Sequence, residues 1–371
     1  MRLPFKSSTS VIAKAGRKLR SKARLPLRSP TVAAWLFFAA FTILVLLVVG
    51  GATRLTTSGL SITEWKPISG VIPPGSDAAW AAEFTNYKKI PQYTQLNPHM
   101  TVEQFKTIYW WEWSHRLIAR LLGVIYLLPF VFFWLMKEIP GRIFWRACVA
   151  IGLVAFQGLV GWLMVASGLT KRVLVAPEML MFHLGMAFLL LGWTLWTGLE
   201  AGEGAPRHRG APLNWRLAAG AIAGLVYLQC LLGALVAGNQ AGLVYNDWPM
   251  MNGSFVPYTD WNEGIGTVLL HDQGVVQFMH RMNAYLLWGL AVFFAFMVSR
   301  RAQDDGLKGL AWAVAGTATL QAMLGIATLY TVVNFWLALA HQLTAGLLLA
   351  LSLILAWNVF RAERAFRRGG F

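Results

Sequence analysis

A chain of 371 residues that is 57% hydrophobic and only 13% charged carries too little charge for a water-soluble domain of this length, so the expected solvent is the bilayer. The formal net charge of +16 would suggest nucleic acid in a soluble protein, but the basic residues are confined to particular segments, which argues against that reading. The two cysteines, Cys148 and Cys230, form no CxxC pair; they read as small buried hydrophobes rather than a redox relay or metal site.

Residues 1–31 form a basic tail, with Arg2, Lys6, Lys14, Arg17, Lys18, Arg20, Lys22, Arg24 and Arg28 and no acid in the first 30 positions. The tail reads as a cytoplasmic anchor that sets orientation, with a mitochondrial transit segment as the second reading. A crossing of the hydrocarbon core takes ~20 apolar residues. Eight such stretches follow, at 32–51, 115–136, 146–167, 178–199, 216–237, 277–298, 310–330 and 335–358. Backbone groups in lipid must be satisfied within the segment, so these are expected to be helices.

The first outer loop, 52–114, is rich in glycine and proline. Within it Thr101-Val102-Glu103-Gln104 resembles a capping box that starts a short helix leading to the second span. Tyr109, Trp110, Trp111 and Trp113 are expected at the headgroup level as an aromatic belt. Lys137, Arg142 and Arg146 lie between spans two and three. Arg207 and Arg209 lie in the inner linker 201–215, with Arg216 just beyond it. Arg300, Arg301 and Lys308 separate spans six and seven, and Arg361, Arg364, Arg367 and Arg368 lie in the basic tail 359–371. The loop at 239–276 has Asp247, Asp260, Glu263 and Asp272 but no Lys or Arg. By the positive-inside rule, the even-numbered loops and both termini face the cytoplasm.

Landmarks recur between 32–200 and 216–358. Gly51 precedes Glu64-Trp65-Lys66-Pro67 at the spacing with which Gly233 precedes Asn246-Asp247-Trp248-Pro249. Trp113-Ser114-His115-Arg116 answers Phe278-Met279-His280-Arg281, Gln157 to Gly161 answers Gln321 to Gly325, and His183 answers His341. Four spans per half make the two halves enter the membrane in the same sense. The expected fold is therefore an all-α membrane protein whose eight transmembrane helices form two parallel-repeat four-helix bundles.

His115, His183, His280 and His341 stand at or near the outer starts of spans two, four, six and eight. At ~1.5 Å rise per residue, all four fall in the outer part of the bilayer. Two helices in each half can then face their imidazoles at matched depth across a planar macrocycle, giving one bis-imidazole haem per half. A hydrogen-bonded structural histidine is the bland alternative for any one of them, but four in a symmetric pattern weigh against it. Zinc or copper would want further Cys, Asp or Glu at ligand spacing. His99, His208 and His271 break the pattern and read as surface residues.

Glu112, three residues before His115, shares its helix face, whereas the corresponding residue of the second half is Gln277. A carboxylate beside one haem alone could accept a proton or steady positive charge or water at a substrate edge; the alternative is a helix cap or a pair with Arg116. Arg116 and Arg281 follow two of the histidines. They either neutralise haem propionates or snorkel to headgroups, and the residues alone leave both readings open.

At these residues the chain resembles the haem A synthase family of alphaproteobacterial and mitochondrial type. The resemblance covers the chain from about residue 32 onward. It rests on Gly50-Gly51-Ala52-Thr53-Arg54-Leu55-Thr56, Ser58-Gly59-Leu60-Ser61, Trp65-Lys66-Pro67, Glu112-Trp113-Ser114-His115-Arg116, Asn246-Asp247-Trp248-Pro249-Met250 and His280-Arg281. It implies oxidation of the C8 methyl of haem O to the formyl group of haem A for cytochrome c oxidase, by successive hydroxylation or by oxidation with water capture, then dehydration of a gem-diol, with water the expected oxygen source. It also implies that His115 and His183 ligate the haem being converted, that Glu112 is the catalytic carboxylate, and that His280 and His341 hold a permanent haem b. Implied partners are haem O synthase, cytochrome c oxidase assembly factors, an electron-transfer partner and membrane lipid, without nucleic acid. The implied location is the bacterial inner membrane, with the mitochondrial inner membrane second. Some family members carry outer-loop cysteine pairs that this chain lacks, which puts a disulfide electron route in doubt. The main rival is a dihaem b-type electron-transfer cytochrome without substrate conversion, although four ligands on one side disfavour transfer across the membrane. A transporter would want polar groups at the midplane.

Overall fold

The computed structural model describes residues 26–205 and 211–362. The tail residues Arg2 to Arg24, the linker residues Arg207, His208 and Arg209, and Arg364, Arg367 and Arg368 lie outside the described residues. The helices in chain order are α1 (Pro30–Leu55), α2 (Asp77–Tyr87), α3 (Pro91–Leu96), α4 (Val102–Leu135), α5 (Gly141–Gly168), α6 (Pro177–Glu203), α7 (Leu213–Gly238), α8 (Ile265–His271), α9 (Gln273–Arg301), α10 (Asp305–Tyr330) and α11 (Phe335–Arg361). All but α2, α3 and α8 are long and apolar enough to cross a membrane, which makes eight spans among the described residues. No strand forms among those residues; Met251 and Ser254 make an isolated bridge.

Local chemistry sets where the helices begin. Ser29 caps α1 by accepting from the Val32 amide, with Pro30 in the first turn. Asp272, Asp304 and Asn334 do the same for α9, α10 and α11. Thr101 and Gln104 form the expected capping box. It opens no separate short helix, however, because α4 runs unbroken from Val102 through His115 to Leu135. His115 is therefore four turns into its helix rather than at its head. The reason is packing outside the apolar run: Phe105, Ile108 and Tyr109 bury one face of α4 against Trp80, Phe84, Tyr87 and Ile90 of the outer loop. Tyr109, expected in an interfacial belt, is instead a buried member of this small capping core.

α4 packs on α1 and α5, and α6 packs on α1 and α5; α9 and α11 likewise each pack on α7 and α10. The two groups meet where α6 touches α7 and α11, and where α1 touches α11. Small residues let these helices approach. Gly198 of α6 faces Phe37 of α1, Gly346 of α11 faces Leu44 of α1, and Gly185 of α6 faces Leu231 of α7. Gln342 donates to the Leu47 carbonyl at 2.6 Å, tying α11 to α1.

One end of the molecule gathers the start of α1 and the ends of α4, α6 and α11. The Ser29 amide donates to Ala201 O at 2.8 Å and the Ala211 amide to Val359 O at 3.3 Å. Thr31 reaches Glu138 at 2.8 Å, and buried Glu200 lies 3.0 Å from both Arg142 and Arg146. The opposite end carries the long loops with α2, α3 and α8, and it is toward that end that the histidines lie.

Candidate functional site

Each of the four histidines lies against a glycine of a neighbouring helix. A Cβ on Gly50 of α1 would stand 3.0 Å from Cε1 of His115, and one on Gly161 of α5 would stand 3.0 Å from Cε1 of His183. The same holds for Gly233 of α7 and His280 at 3.1 Å, and for Gly325 of α10 and His341 at 3.0 Å. A methyl group there would push the ring aside, so the missing side chain is what seats the imidazole. The glycine matching Gly233 in this contact is Gly50. Gly51, which the landmark spacing pairs with Gly233, instead meets the amide of Gln342.

The structure brings the histidines together in twos. His280 and His341 have ring centroids 6.4 Å apart and planes inclined at 73°. His115 and His183 are carried by α4 and α6, which both pack on α1 and α5, where they lie against Gly50 and Gly161. An iron bound at about 2 Å from a nitrogen of each ring fits the 6.4 Å separation. Among the described residues no three His, Cys, Asp or Glu side chains gather into a metal site. A pair of imidazoles is a sufficient donor set where the ligand brings its own equatorial nitrogens, as haem does. Nδ1 of His115, His183 and His341 is buried without a hydrogen-bond partner, and a buried polar atom without a partner asks for a reason.

Glu112 and Arg116 form a clamp on the outer loop. Glu112 is 3% exposed. Its Oε1 accepts from Arg116 at 2.5 Å, while Oε2 accepts from Ser61 Oγ at 2.8 Å and the Ile62 amide at 2.9 Å. Arg116 also donates to the carbonyls of Ile62 at 2.8 Å and Glu64 at 3.2 Å. Gln277 and Arg281 repeat the clamp with different polarity. Gln277 Oε1 accepts from Arg281 at 2.5 Å, but its Nε2 donates to Ala241 O at 2.7 Å and Tyr245 O at 3.3 Å. Arg281, 6% exposed, further donates to the carbonyls of Asp247 and Met250 at 3.0 Å each. Neither arginine snorkels, and each binds an outer loop to its histidine-bearing helix.

Above the first pair, a cleft of about 360 Å³ is lined by Ile62, Glu64, Lys66, Glu83, Arg116 and Arg120 among others. Hydrogen bonds to Glu64 and Glu83 hold the Lys66 ammonium above the ordinary lysine value. His99 is exposed, and His271 lies partly exposed, 4.0 Å from Glu178. Cys148 and Cys230 are both free thiols, the second buried.

Residues 33–353 match the model of the COX15-CtaA family, described as cytochrome oxidase assembly protein. The chain belongs to that family. A "heme A synthase" of Caulobacter sp. strain K31 is 52% identical over 335 residues, covering 90% of this chain and 97% of the relative. One from Caulobacter vibrioides is 50% identical, with the same coverage of each chain. One from Rhodopseudomonas palustris strain BisA53 is 46% identical over 90% of this chain and 92% of its own.

Four residues that the sequence reading assigned no role also stand at the site. Gln157 donates to the backbone oxygen of His183 at 2.8 Å, Gln229 lies 3.0 Å from His280 Nδ1, and Gln321 lies 3.4 Å from His341 Nε2. The side chain of Arg54, one turn beyond Gly50 on α1, makes no hydrogen bond or ion pair with any described residue. A polar residue four positions before a conspicuous glycine was the available signal for the glutamines.

Proposed function

We propose that this protein is a haem A synthase, oxidising the C8 methyl of haem O to the formyl group of haem A for cytochrome c oxidase. The observation that carries this reading is two histidine pairs on matched glycine seats, of which only the first has a carboxylate, Glu112, on the helix face of a histidine. Family membership and relatives of that name support it.

In this reading His115 and His183 hold the substrate haem, and His280 and His341 hold a resident haem b, which supplies an electron-carrying iron when bound. Conversion of the methyl to the formyl group takes one water and releases four electrons and four protons, so an electron-accepting partner is required. Glu112 takes up a proton at Oε2, the oxygen that Ser61 and Ile62 address; Gln277 lacks that capacity. Arg54, whose side chain has no partner among the described residues, supplies a counter-charge for a propionate of the first haem. The parallel repeat is the simplest account of the matched seats and clamps. The protein sits in the bacterial inner membrane with both termini in the cytoplasm, receiving haem O from haem O synthase and passing haem A to oxidase assembly factors.

The test is to purify wild type and Glu112→Ala from cells supplied with haem O, extract the pigments and identify them by mass. Haem A with haem b in wild type, and haem O or a hydroxylated intermediate accumulating in the variant, is expected. Haem b alone in both would overturn the reading and leave an electron-transfer cytochrome.

A further inference from the structure

The second-half seam between α9 and α10 is latched, and the first-half seam between α4 and α5 is not. The Trp288 indole N–H of α9 donates to Thr319 Oγ1 of α10 at 3.0 Å, and near the turn between these helices Trp312 donates to Ser299 at 2.7 Å. Counted from the histidines His115 and His280, the place of Trp288 is taken in the first half by Gly123. Counted from the glycine seats Gly161 and Gly325, the place of Thr319 is taken by Ala155. A Cβ on Gly123 would meet no other atom within 4 Å, so no side chain packs there. Ring contacts between α4 and α5 among the described residues are those of Phe130 and Trp134 with Phe144, where α4 ends and α5 begins. No side-chain hydrogen bond among those residues joins the two helices.

The outer loops differ in the same sense. Trp65 and Trp248 stand at equal spacing from the glycine seats Gly50 and Gly233. Trp248 is bolted across its seam: its indole N–H donates to Tyr285 Oη of α9 at 2.8 Å, and its carbonyl accepts from Tyr330 of α10 at 2.9 Å. Asn246 adds a bond to the Leu329 carbonyl of α10 at 3.0 Å. In the first half Ala166 stands where Tyr330 reaches across. Trp65 instead lies on Trp162 of α5, with ring centroids 5.1 Å apart and planes inclined at 24°. The two residues are 53% and 40% exposed, so the stack faces outward. The carbonyls of Glu64, Lys66 and Pro67 accept from Arg116 and Arg120 of α4, and no hydrogen bond among the described residues runs from residues 64–70 to α5. Trp162 follows Gly161, the seat of His183, which sets the stack level with the site.

We propose that the substrate haem enters and leaves the first-half site sideways, from the bilayer through the seam between α4 and α5, and that the Trp65–Trp162 stack is the gate over that seam. The proposal rests on the haem-substrate reading given above. Haem O carries a long isoprenoid tail, and a route through water would expose it at a cost that grows with every methylene. The outer approach is closed, because Glu112, Arg116 and Arg120 tie the outer loop to the helix that carries His115. Behind the seam, α4 carries His115 and α5 seats His183, and Nδ1 of each ring is buried without a partner. Parting two stacked rings breaks no hydrogen bond. Opening the second half would break the Trp288 latch and the bonds of Trp248 and Asn246 to α10. One seam suits a substrate that must pass, and the other a cofactor that stays.

The experiment uses full-length protein in lipid nanodiscs, carrying haem b from cells that make no haem O, mixed with phosphatidylcholine vesicles that carry haem O. Soret absorbance follows uptake, transfer to excess empty vesicles gives release, and titration gives affinity. Gly123→Trp with Ala155→Thr installs the second-half latch in the first half. It should slow uptake and release alike by about 5-fold or more, the weight of one hydrogen bond broken at each opening, with haem b content and affinity for haem O unchanged. Trp162→Leu should speed both steps, and Trp288→Gly with Thr319→Ala should hasten loss of haem b. A gate changes rates and leaves affinity alone, whereas a distorted site changes affinity. Rates unaltered by the added latch, or a loss of affinity without slower release, would overturn the inference. Wild type that holds haem b but takes up no haem O would instead overturn the functional reading beneath it.

Discussion

Replacing Glu112 by Gln swaps one clamp residue for the type that occupies the matching place in the second half, and the geometry says the swap fails. Gln277 works because its Nε2 meets two carbonyls. Glu112 instead meets donors on both sides: Arg116 at 2.5 Å on one oxygen, and Ser61 and the Ile62 amide on the other. A glutamine at 112 must therefore aim its NH2 at a donor whichever way the amide turns. One buried donor is left without an acceptor, at a cost of about 1–3 kcal/mol. Arg116 also loses its counter-charge, and breaking a buried pair costs about 3–5 kcal/mol when the remaining charge is left bare. Here Arg116 keeps the carbonyls of Ile62 and Glu64 and its side chain is 18% exposed, so the lower end applies. Glu112→Gln should lose about 2–3 kcal/mol in all. The assay is thermal unfolding in detergent, followed by a thiol-reactive dye that reports exposure of the buried Cys230. The reciprocal Gln277→Glu should also destabilise, since its carboxylate would face the carbonyls of Ala241 and Tyr245. A Glu112→Gln protein that melts with wild type would refute this reasoning.

Three further outcomes follow from the same structure. Gly161→Ala and Gly325→Ala should each displace the adjoining imidazole and lower bound haem, read from the Soret band per protein, whereas Gly220→Ala, with open space around it, should stabilise by about 0.5–1 kcal/mol in a melt. Glu200→Gln removes the carboxylate between Arg142 and Arg146. Since those side chains are 57% and 34% exposed, the loss should be only about 1 kcal/mol and should shrink with added salt. The Lys66 pKa is raised by its bonds to Glu64 and Glu83, so the stability it contributes is complete below the ordinary lysine value of 10.5 and is lost as pH rises through the folded-state value. The difference in melting temperature between wild type and Lys66→Met should accordingly be constant at neutral pH and vanish in strong alkali; a difference that grew with pH would contradict the assignment.

The eight spans were legible because an apolar run of bilayer length is a signal no loop imitates. The start of the helix carrying His115 was not. Residues 102–114 mix Glu103, Gln104 and Lys106 with aromatics, and their helical continuation depends on partners such as Trp80 and Phe84, distant in sequence. The histidines stood out by type and spacing, and the pairing of His280 with His341 followed. The glycine seats were half legible. Spacing to the loop motif singles out Gly233 but matches it to Gly51 rather than Gly50, because the two loops differ in length by one residue. Contact with His115 removes that ambiguity. The pair of Glu112 with Arg116 was one of the readings the sequence offered, but its hold on the outer loop was not legible, because the loop partners are mostly backbone groups.

The division of labour between the halves is the central claim, and pigment analysis of half-specific variants tests it most directly. His183→Ala and His341→Ala would be purified from cells supplied with haem O and their extracted haems identified by mass. The account predicts that His183→Ala loses haem O and haem A while retaining haem b, and that His341→Ala loses haem b while still binding haem O. Loss of the same pigment from both variants would contradict it.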